Sequence, residues 1–328
     1  MIQEEKVMQV VRAETGSELV RVVCPLCRSE RSAYERTVNG YLLERCGDCG
    51  FVFTNPQPSL EFLAELYSNR DANALIDFYA RTASPSQLAM FDSLLERLEK
   101  LHGEVGRLLD LGCGPGYCFE RAAKRGWDAH GVDLGEWTAA AAAARNLKNL
   151  HVGNLADQSF PDGHFDAVVS VEVFEHLTDL ISELKDIQRV LRPGGLLLLQ
   201  VPNYRTLSIL LGRDDFRLNT PPQHLNYFNP HTLRKLLQEN GFRVLQLRTG
   251  GGLKLENLLG RKYQSDITNA TESKSLPAAG TPAWQSFTGE KPIWKRMLLP
   301  MVDRVFYRAA KVGMSLTAIA RFGQESRS

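Results

Sequence analysis

The stretch Leu108-Leu-Asp-Leu-Gly-Cys-Gly-Pro-Gly-Tyr117 constrains the fold of this chain more than any other. An apolar run enters three glycines at alternate positions, and a helix is expected after them. Such a loop lets a nucleotide-like ligand lie against bare backbone at a helix N-terminus, an arrangement typical of open α/β sheets. Spacing narrows the reading. Gly112, Gly114 and Gly116 with an acid at Asp110 depart from the dinucleotide fingerprint, whose last two glycines stand three residues apart. A nicotinamide-dependent dehydrogenase is therefore a poor reading.

From Gly106 onward, strand and helix signals alternate, as in a doubly wound sheet. Strands are expected at Arg107–Leu111, Ala129–Val132, Asn149–Val152, Asp166–Val171, Gly195–Val201 and Phe242–Leu247, and a last one at Met314–Phe322. The second strand ends in Gly131-Val-Asp133, which places a carboxylate about twenty residues after the loop, within reach of both ribose hydroxyls of a nucleoside. With 328 residues the chain can bury one substantial core and carry an appended module. A net charge of +1 gives no reason to expect nucleic acid as a partner. The N-terminus does not read as a secretory signal and no apolar run is long enough to span a bilayer, so a cytoplasmic location is expected.

Four of the six cysteines form two pairs, Cys24-Pro-Leu-Cys27 and Cys46-Gly-Asp-Cys49. Their spacing suits a four-thiolate zinc site, and the intervening Tyr34–Val38 and Tyr41–Arg45 flank Asn39-Gly40, a tight-turn dipeptide. Residues from about Val20 to Thr54 read as a zinc ribbon. Four thiolates leave no open coordination position, so Cys24, Cys27, Cys46 and Cys49 are expected to hold a structural Zn2+. Cys113 and Cys118 read as small packing residues.

Between ribbon and glycine loop, helices are expected from Ser59 to about Tyr67 and from about Ser86 to Leu101. Pro292 to Lys311 reads as a basic amphipathic helix, more often packed on its own domain but also able to make peripheral contact with an anionic membrane.

The glycine loop and its acid resemble the first motif of the class I S-adenosylmethionine-dependent methyltransferases, and the resemblance extends from about Val105 to Gly323. It implies a Rossmann-like seven-stranded sheet with helices on both faces, its last strand antiparallel beside the sixth. It also implies that Asp110 reads the amino group of the methionine part, that the backbone at Gly112, Gly114 and Gly116 packs on the adenosine, and that Asp133 takes the ribose. Gly153-Asn154-Leu155-Ala156 and Phe160-Pro-Asp-Gly-His-Phe-Asp166 resemble the segments that bracket adenine, with Asn154 where the family usually has Asp. Ser170-Val-Glu172-Val-Phe-Glu-His176-Leu resembles the motif facing the methyl-transfer centre, although His176 also reads as a packing residue beneath the cofactor.

In the family, the loop Pro221-Pro-Gln-His224-Leu-Asn-Tyr227-Phe helps close the acceptor pocket. His224 is the candidate base, with Tyr227 and Glu172 as supporting polar groups, and loop packing is the competing role for each. The ribbon followed by Phe51-Val-Phe-Thr-Asn-Pro-Gln-Pro-Ser resembles a set of bacterial methyltransferases, some of which C-methylate nucleotide-bound deoxysugars. The chain departs from that sugar group in lacking its large C-terminal domain, so the resemblance bears on the reaction more than on the substrate.

These readings divide the chain into a zinc-ribbon module at 1–57, a helical connector and cofactor cover at 58–104, and a methyltransferase domain at 105–323 with a helical insertion at about 253–312. The expected function is methyl transfer from S-adenosylmethionine to a small-molecule acceptor: a sugar, a secondary metabolite or a cell-envelope precursor. A zinc-ribbon RNA methyltransferase and a non-catalytic nucleoside-binding module are the alternatives. The acceptor, the methylated atom and the oligomeric state are not readable from the residues.

Overall fold

A computed structural model of the protein describes residues 10–12, 18–68, 83–206, 221–250 and 313–323. Val10–Arg12 (β1) and Glu18–Val20 (β2) precede a ribbon built from Ser32–Val38 (β3), Tyr41–Cys46 (β4) and Val52–Thr54 (β5). Asn39 and Gly40 both adopt positive φ, 50° and 78°, the backbone that a two-residue hairpin between β3 and β4 requires. Gln57–Pro58 (β6) turns back to pair with β2. Buried Glu44 ties these pieces together, accepting hydrogen bonds from Arg21 at 3.0 Å, Ser32 at 2.6 Å and Asn55 at 2.7 Å.

Leu60–Ser68 (α1) follows, then Pro85–His102 (α2), which starts where Ser84 Oγ accepts the Gln87 N–H and ends at Gly103. The helical spacing of Phe91, Leu94, Leu95 and Leu98 puts all four in the core. Strand and helix then alternate: Arg107–Leu111 (β7), Tyr117–Lys124 (α3), Asp128–Asp133 (β8), Glu136–Ala144 (α4), Leu150–Val152 (β9), Phe165–Val171 (β10), Leu180–Val190 (α5) and Leu191–Pro202 (β11). Asn226–Tyr227 (β12), Pro230–Glu239 (α6), Phe242–Gly250 (β13) and Ser315–Phe322 (β14) complete the described elements.

The main sheet has seven strands in the order β13-β14-β11-β10-β7-β8-β9. β11, β10, β7, β8 and β9 are mutually parallel, and β14 runs antiparallel to both of its neighbours. The last strand therefore lies between the fifth and sixth strands, beside both. The fifth strand also begins earlier than its expected start at Gly195. Leu191 takes an extended backbone at the end of α5 and pairs with Phe165 before the Pro193-Gly194-Gly195 segment is reached.

Alternation along the parallel strands feeds two cores. Leu108, Ala167, Val169, Leu196 and Leu198 face α2 and α3, together with Cys113, Cys118, Phe119 and Trp127. Leu109, Leu111, Val168, Leu197 and Leu199 face the other way, toward α5 and α6. Ribbon residues Cys24, Leu26, Cys46, Cys49, Phe51 and Phe53 share that second core, with the Phe51 ring 5.1 Å from Phe228. β12 joins the ribbon sheet by pairing with β5, so the segment before α6 is hydrogen-bonded directly to the ribbon. The expected insertion at 253–312 and the basic helix at 292–311 lie outside the described residues. Among the described residues no helix is long and apolar enough to cross a membrane.

Candidate active site

Asp110 ends near the carboxyl edge of β7, and Asp133 closes β8 beside it; between them the glycine loop turns into α3. Gly112 N–H and Cys113 N–H both donate to the Val132 carbonyl, at 2.8 and 3.1 Å, which pins the loop to β8. Gly112 has φ +71°, and a Cβ there would stand 2.2 Å from Val173 Cγ2. Gly112→Ala should lower stability by about 1–3 kcal/mol, read as a fall in Tm; an unchanged Tm would contradict this packing. Gly114 differs. Its φ of +51° also favours glycine, but a Cβ would meet nothing within 4 Å, so this side of the loop faces open space rather than protein.

The two acids are placed differently. Asp110 is buried and accepts the Phe119 N–H at 3.1 Å. Burial pushes its pKa up to about 7, helped by the charge of Asp133 and opposed by the Phe119 hydrogen bond. Asp133 accepts from Gly114 N–H at 2.8 Å and Gly135 N–H at 2.9 Å, and burial raises it above the usual carboxylate range despite these donors. Each oxygen of Asp133 keeps a lone pair for a ligand hydroxyl. Beyond β9, Asn154 is exposed and donates to Asp157 at 2.9 Å, while the Leu155 side chain lies in the core, so Leu155 can meet a ligand only through its backbone.

Across the cleft, β10 ends at Val171 and the chain turns at Glu172, whose φ of 58° is unusual for a residue with a side chain. Glu172 N–H is held by the Gln200 carbonyl at 2.8 Å. Its carboxyl is open to the cleft but crowded by protein, which lifts its pKa to about 7 against hydrogen bonding from Glu175 and Gln200. Glu175 is only 1% exposed, and burial next to Glu172 raises its pKa strongly. His176 Nδ1 lies 2.9 Å from the Gln223 carbonyl and must donate to it, which makes Nε2 the acceptor nitrogen of the neutral ring. The His224 ring meets His176 edge-on with centroids 4.8 Å apart.

The loop carrying His224 is fastened on two sides. Leu225 N–H and Asn226 N–H donate to the Glu175 carbonyl at 2.7 and 3.0 Å, and the Asn226 side chain donates to Phe174 and Leu177 carbonyls. From the ribbon, Thr54 N–H donates to the Leu225 carbonyl and Thr54 Oγ1 to the His224 carbonyl. Tyr227 takes the loop-packing role that the sequence also allowed. Its hydroxyl donates to the His224 carbonyl at 2.8 Å and the residue packs with Val38, Leu43, Val52 and Tyr204. His176 and His224 are brought together, and Glu172 reaches this group only through its interaction with Glu175; Glu175, Asn226 and Thr54 were missed. The neighbouring Glu-His pair is visible in the sequence, but no local pattern reveals that Glu175 is the buried one.

The zinc reading passes a geometric test. Cys24 and Cys49 sulfurs are 3.6 Å apart, as are those of Cys27 and Cys46, and all four lie within 4.8 Å of one another. Tetrahedral zinc with bonds of about 2.3 Å needs sulfurs about 3.8 Å apart. All six cysteines are free thiols. Burial raises Cys46, but hydrogen bonds from the Cys49 and Asp48 N–H groups and from the Cys27 and Cys49 thiols together bring it down to about 7, so its surroundings favour the thiolate.

Comparisons with known proteins agree with this geometry. A family model for a methyltransferase domain matches residues 79–247. A probable S-adenosylmethionine-dependent methyltransferase of Mycolicibacterium smegmatis is 39% identical over 147 residues, 44% of this chain and 54% of that protein. A ubiquinone biosynthesis O-methyltransferase of Acinetobacter baumannii is 33% identical over 105 residues, 30% of this chain and 44% of that protein. The chain thus spans about half the length of the curated relatives it matches. Phosphoethanolamine N-methyltransferase 2 of Haemonchus contortus, solved with S-adenosyl-L-methionine, shares the fold at a TM-score of 0.53 and 19% identity, covering 84% of this chain and 63% of that one. With the sheet order, the glycine loop and its two acids, the family match establishes that this chain belongs to the class I S-adenosylmethionine-dependent methyltransferases.

Proposed function

We propose that the chain transfers the sulfonium methyl of S-adenosylmethionine to a small-molecule acceptor, a sugar, secondary metabolite or cell-envelope precursor. The observation that carries this reading is the gathering of polar residues at the carboxyl edge of the parallel sheet. Asp110 and Asp133 lie at the ends of β7 and β8, Glu172 and His176 follow the neighbouring β10, and the His224 ring meets His176. On this reading Asp110 holds the ammonium, Asp133 the ribose hydroxyls, and the backbone near Asn154 and Leu155 the adenine edge. The bound cofactor supplies an electrophilic methyl with a neutral thioether as leaving group.

The chain's own contribution is mostly placement, since in-line displacement needs the reacting atoms close and aligned. Where the acceptor is a hydroxyl or an acidic carbon, His224 takes its proton as the new bond to methyl forms and the sulfur–methyl bond breaks. His224 is suited to this by its half-buried place beside His176 and by a loop held from both the ribbon and the segment 174–177 that follows β10. Residues 1–57, 58–104 and 105–323 act as ribbon, connector and transferase units in this scheme. A reducing cytoplasm would keep the four ribbon thiols available for zinc. A net charge of +1 argues against nucleic acid as acceptor.

The test is transfer of labelled methyl from S-adenosylmethionine by the zinc-loaded chain into a host extract split into small molecules, lipids and RNA. Label in small molecules or lipids is the expected result. Label in RNA, or cofactor binding with no transfer anywhere, overturns it in favour of an RNA enzyme or a nucleoside-binding module.

A further inference from the structure

Glu175 is an anomaly that methyl transfer alone does not require. Its side chain is almost completely inaccessible, yet among the described residues neither carboxylate oxygen has a hydrogen-bond partner of normal geometry. A buried carboxylate without donors is unstable unless it is neutralised or paired. Its electrostatic neighbour is another acid, Glu172, and among the described residues no Lys or Arg forms an ion pair with either. The imidazole of His176 stands beside it, with Nε2 3.8 Å from Glu175 Oε1.

The surrounding geometry suits a different counter-charge. One ligand atom each from Glu175, His176 and His224 can be chosen so that all lie within 4.8 Å of one another. The Gln223 carbonyl accepts from His176 Nδ1–H and so turns the Nε2 lone pair toward Glu175, the outer-shell arrangement that orients metal-binding imidazoles. The Glu175 carbonyl accepts from Leu225 and Asn226 N–H, which locks the His224 loop against the Glu175–His176 segment. Two imidazoles and a carboxylate suit first-row divalent ions and leave coordination positions open.

We propose that Glu175, His176 and His224 form a second metal site, separate from the cysteine ribbon, that binds a first-row divalent cation at the acceptor wall of the cleft. Glu172, the acid that interacts with Glu175, offers a fourth ligand atom, an oxygen. A cation there neutralises the buried carboxylate and takes the His224 lone pair, so His224 serves as ligand in place of base, and an acceptor hydroxyl at an open position is acidified and loses its proton to water. This last step rests on the methyl-transfer reading; cation binding itself does not.

Mn2+ is the suitable probe, because its preference for oxygen and nitrogen donors leaves zinc on the four thiolates. The zinc-loaded full chain is titrated with Mn2+ and free ion is followed by electron paramagnetic resonance, with S-adenosylhomocysteine binding measured in parallel by calorimetry. One saturable Mn2+ per chain is expected, weakened by about tenfold or more in Glu175→Gln and in His224→Gln. If Glu175→Gln fails to fold, half-buried His224 carries the comparison alone. No saturable Mn2+ binding, or unchanged affinity in the folded variants, overturns the site. Methyl transfer without Mn2+ binding would sink the cation site alone, and Mn2+ binding without methyl transfer would sink the transfer reading alone.

Discussion

Replacing Asp110 by Asn should weaken binding of S-adenosylhomocysteine by about 10- to 100-fold, the span expected for loss of a charge-assisted hydrogen bond to a ligand ammonium. Asparagine keeps the shape and can still accept the Phe119 N–H that Asp110 now accepts at 3.1 Å. The fold should therefore survive, and Tm is the control. The wild-type carboxyl also carries a pH signature. Burial raises it from 3.8 to about 7 in the folded chain, so folding favours the protonated form. Its stabilising contribution is fully present below the unfolded value and is lost as pH rises through about 7. Ligand binding works in the opposite direction, because an ammonium favours the ionised acid. Affinity should consequently rise with pH up to about 7, approaching tenfold per pH unit well below it. The Asn variant should lose this dependence. Calorimetry between pH 5.5 and 8 checks both, and equal affinities for wild type and variant across that range would remove Asp110 from the ligand site.

Much of the glycine loop and the placement of its two acids was legible because their determinants are local. Alternating apolar residues, three glycines and an acid at each of two strand ends specify a loop whose conformation is dictated over about ten residues. The Asn39-Gly40 hairpin and the Ser84-capped helix were legible for the same reason. What was not legible depends on contacts far apart in sequence. The position of β14 between β11 and β13 is decided by pairing across more than a hundred residues. The inward turn of Tyr227 depends on Thr54 and the ribbon core, and the burial of Glu175 depends on the loop at Leu225 and Asn226. Polar residues read as site candidates were thus divided only by the fold: His176 and His224 meet, whereas Tyr227 serves the loop behind them.

Loss of ribbon zinc should separate the two walls of the cleft. In a Cys46→Ser, Cys49→Ser double variant, kcat/KM for the acceptor should fall by about 100-fold or more, the penalty for a reacting group displaced by about 1 Å. S-adenosylhomocysteine affinity should change by less than about threefold, within the usual error of adding distant effects. The reason is connectivity. Structural zinc supplies much of the folding free energy of a small ribbon, and Cys46 lies at the end of β4, which pairs with β5. β5 in turn pairs with β12, and Thr54 holds the His224 and Leu225 carbonyls. A loosened ribbon therefore releases the loop that aims His224. The cofactor wall is braced elsewhere, by β8 through Val132 and by the α2 and α3 core on the opposite face of the sheet. Zinc content by mass spectrometry, calorimetry for the cofactor product and initial rates for the acceptor together decide the matter. Zinc-free protein with normal turnover would show that the ribbon does not position the acceptor wall, and equal loss of cofactor affinity and turnover would show that the ribbon supports the whole domain.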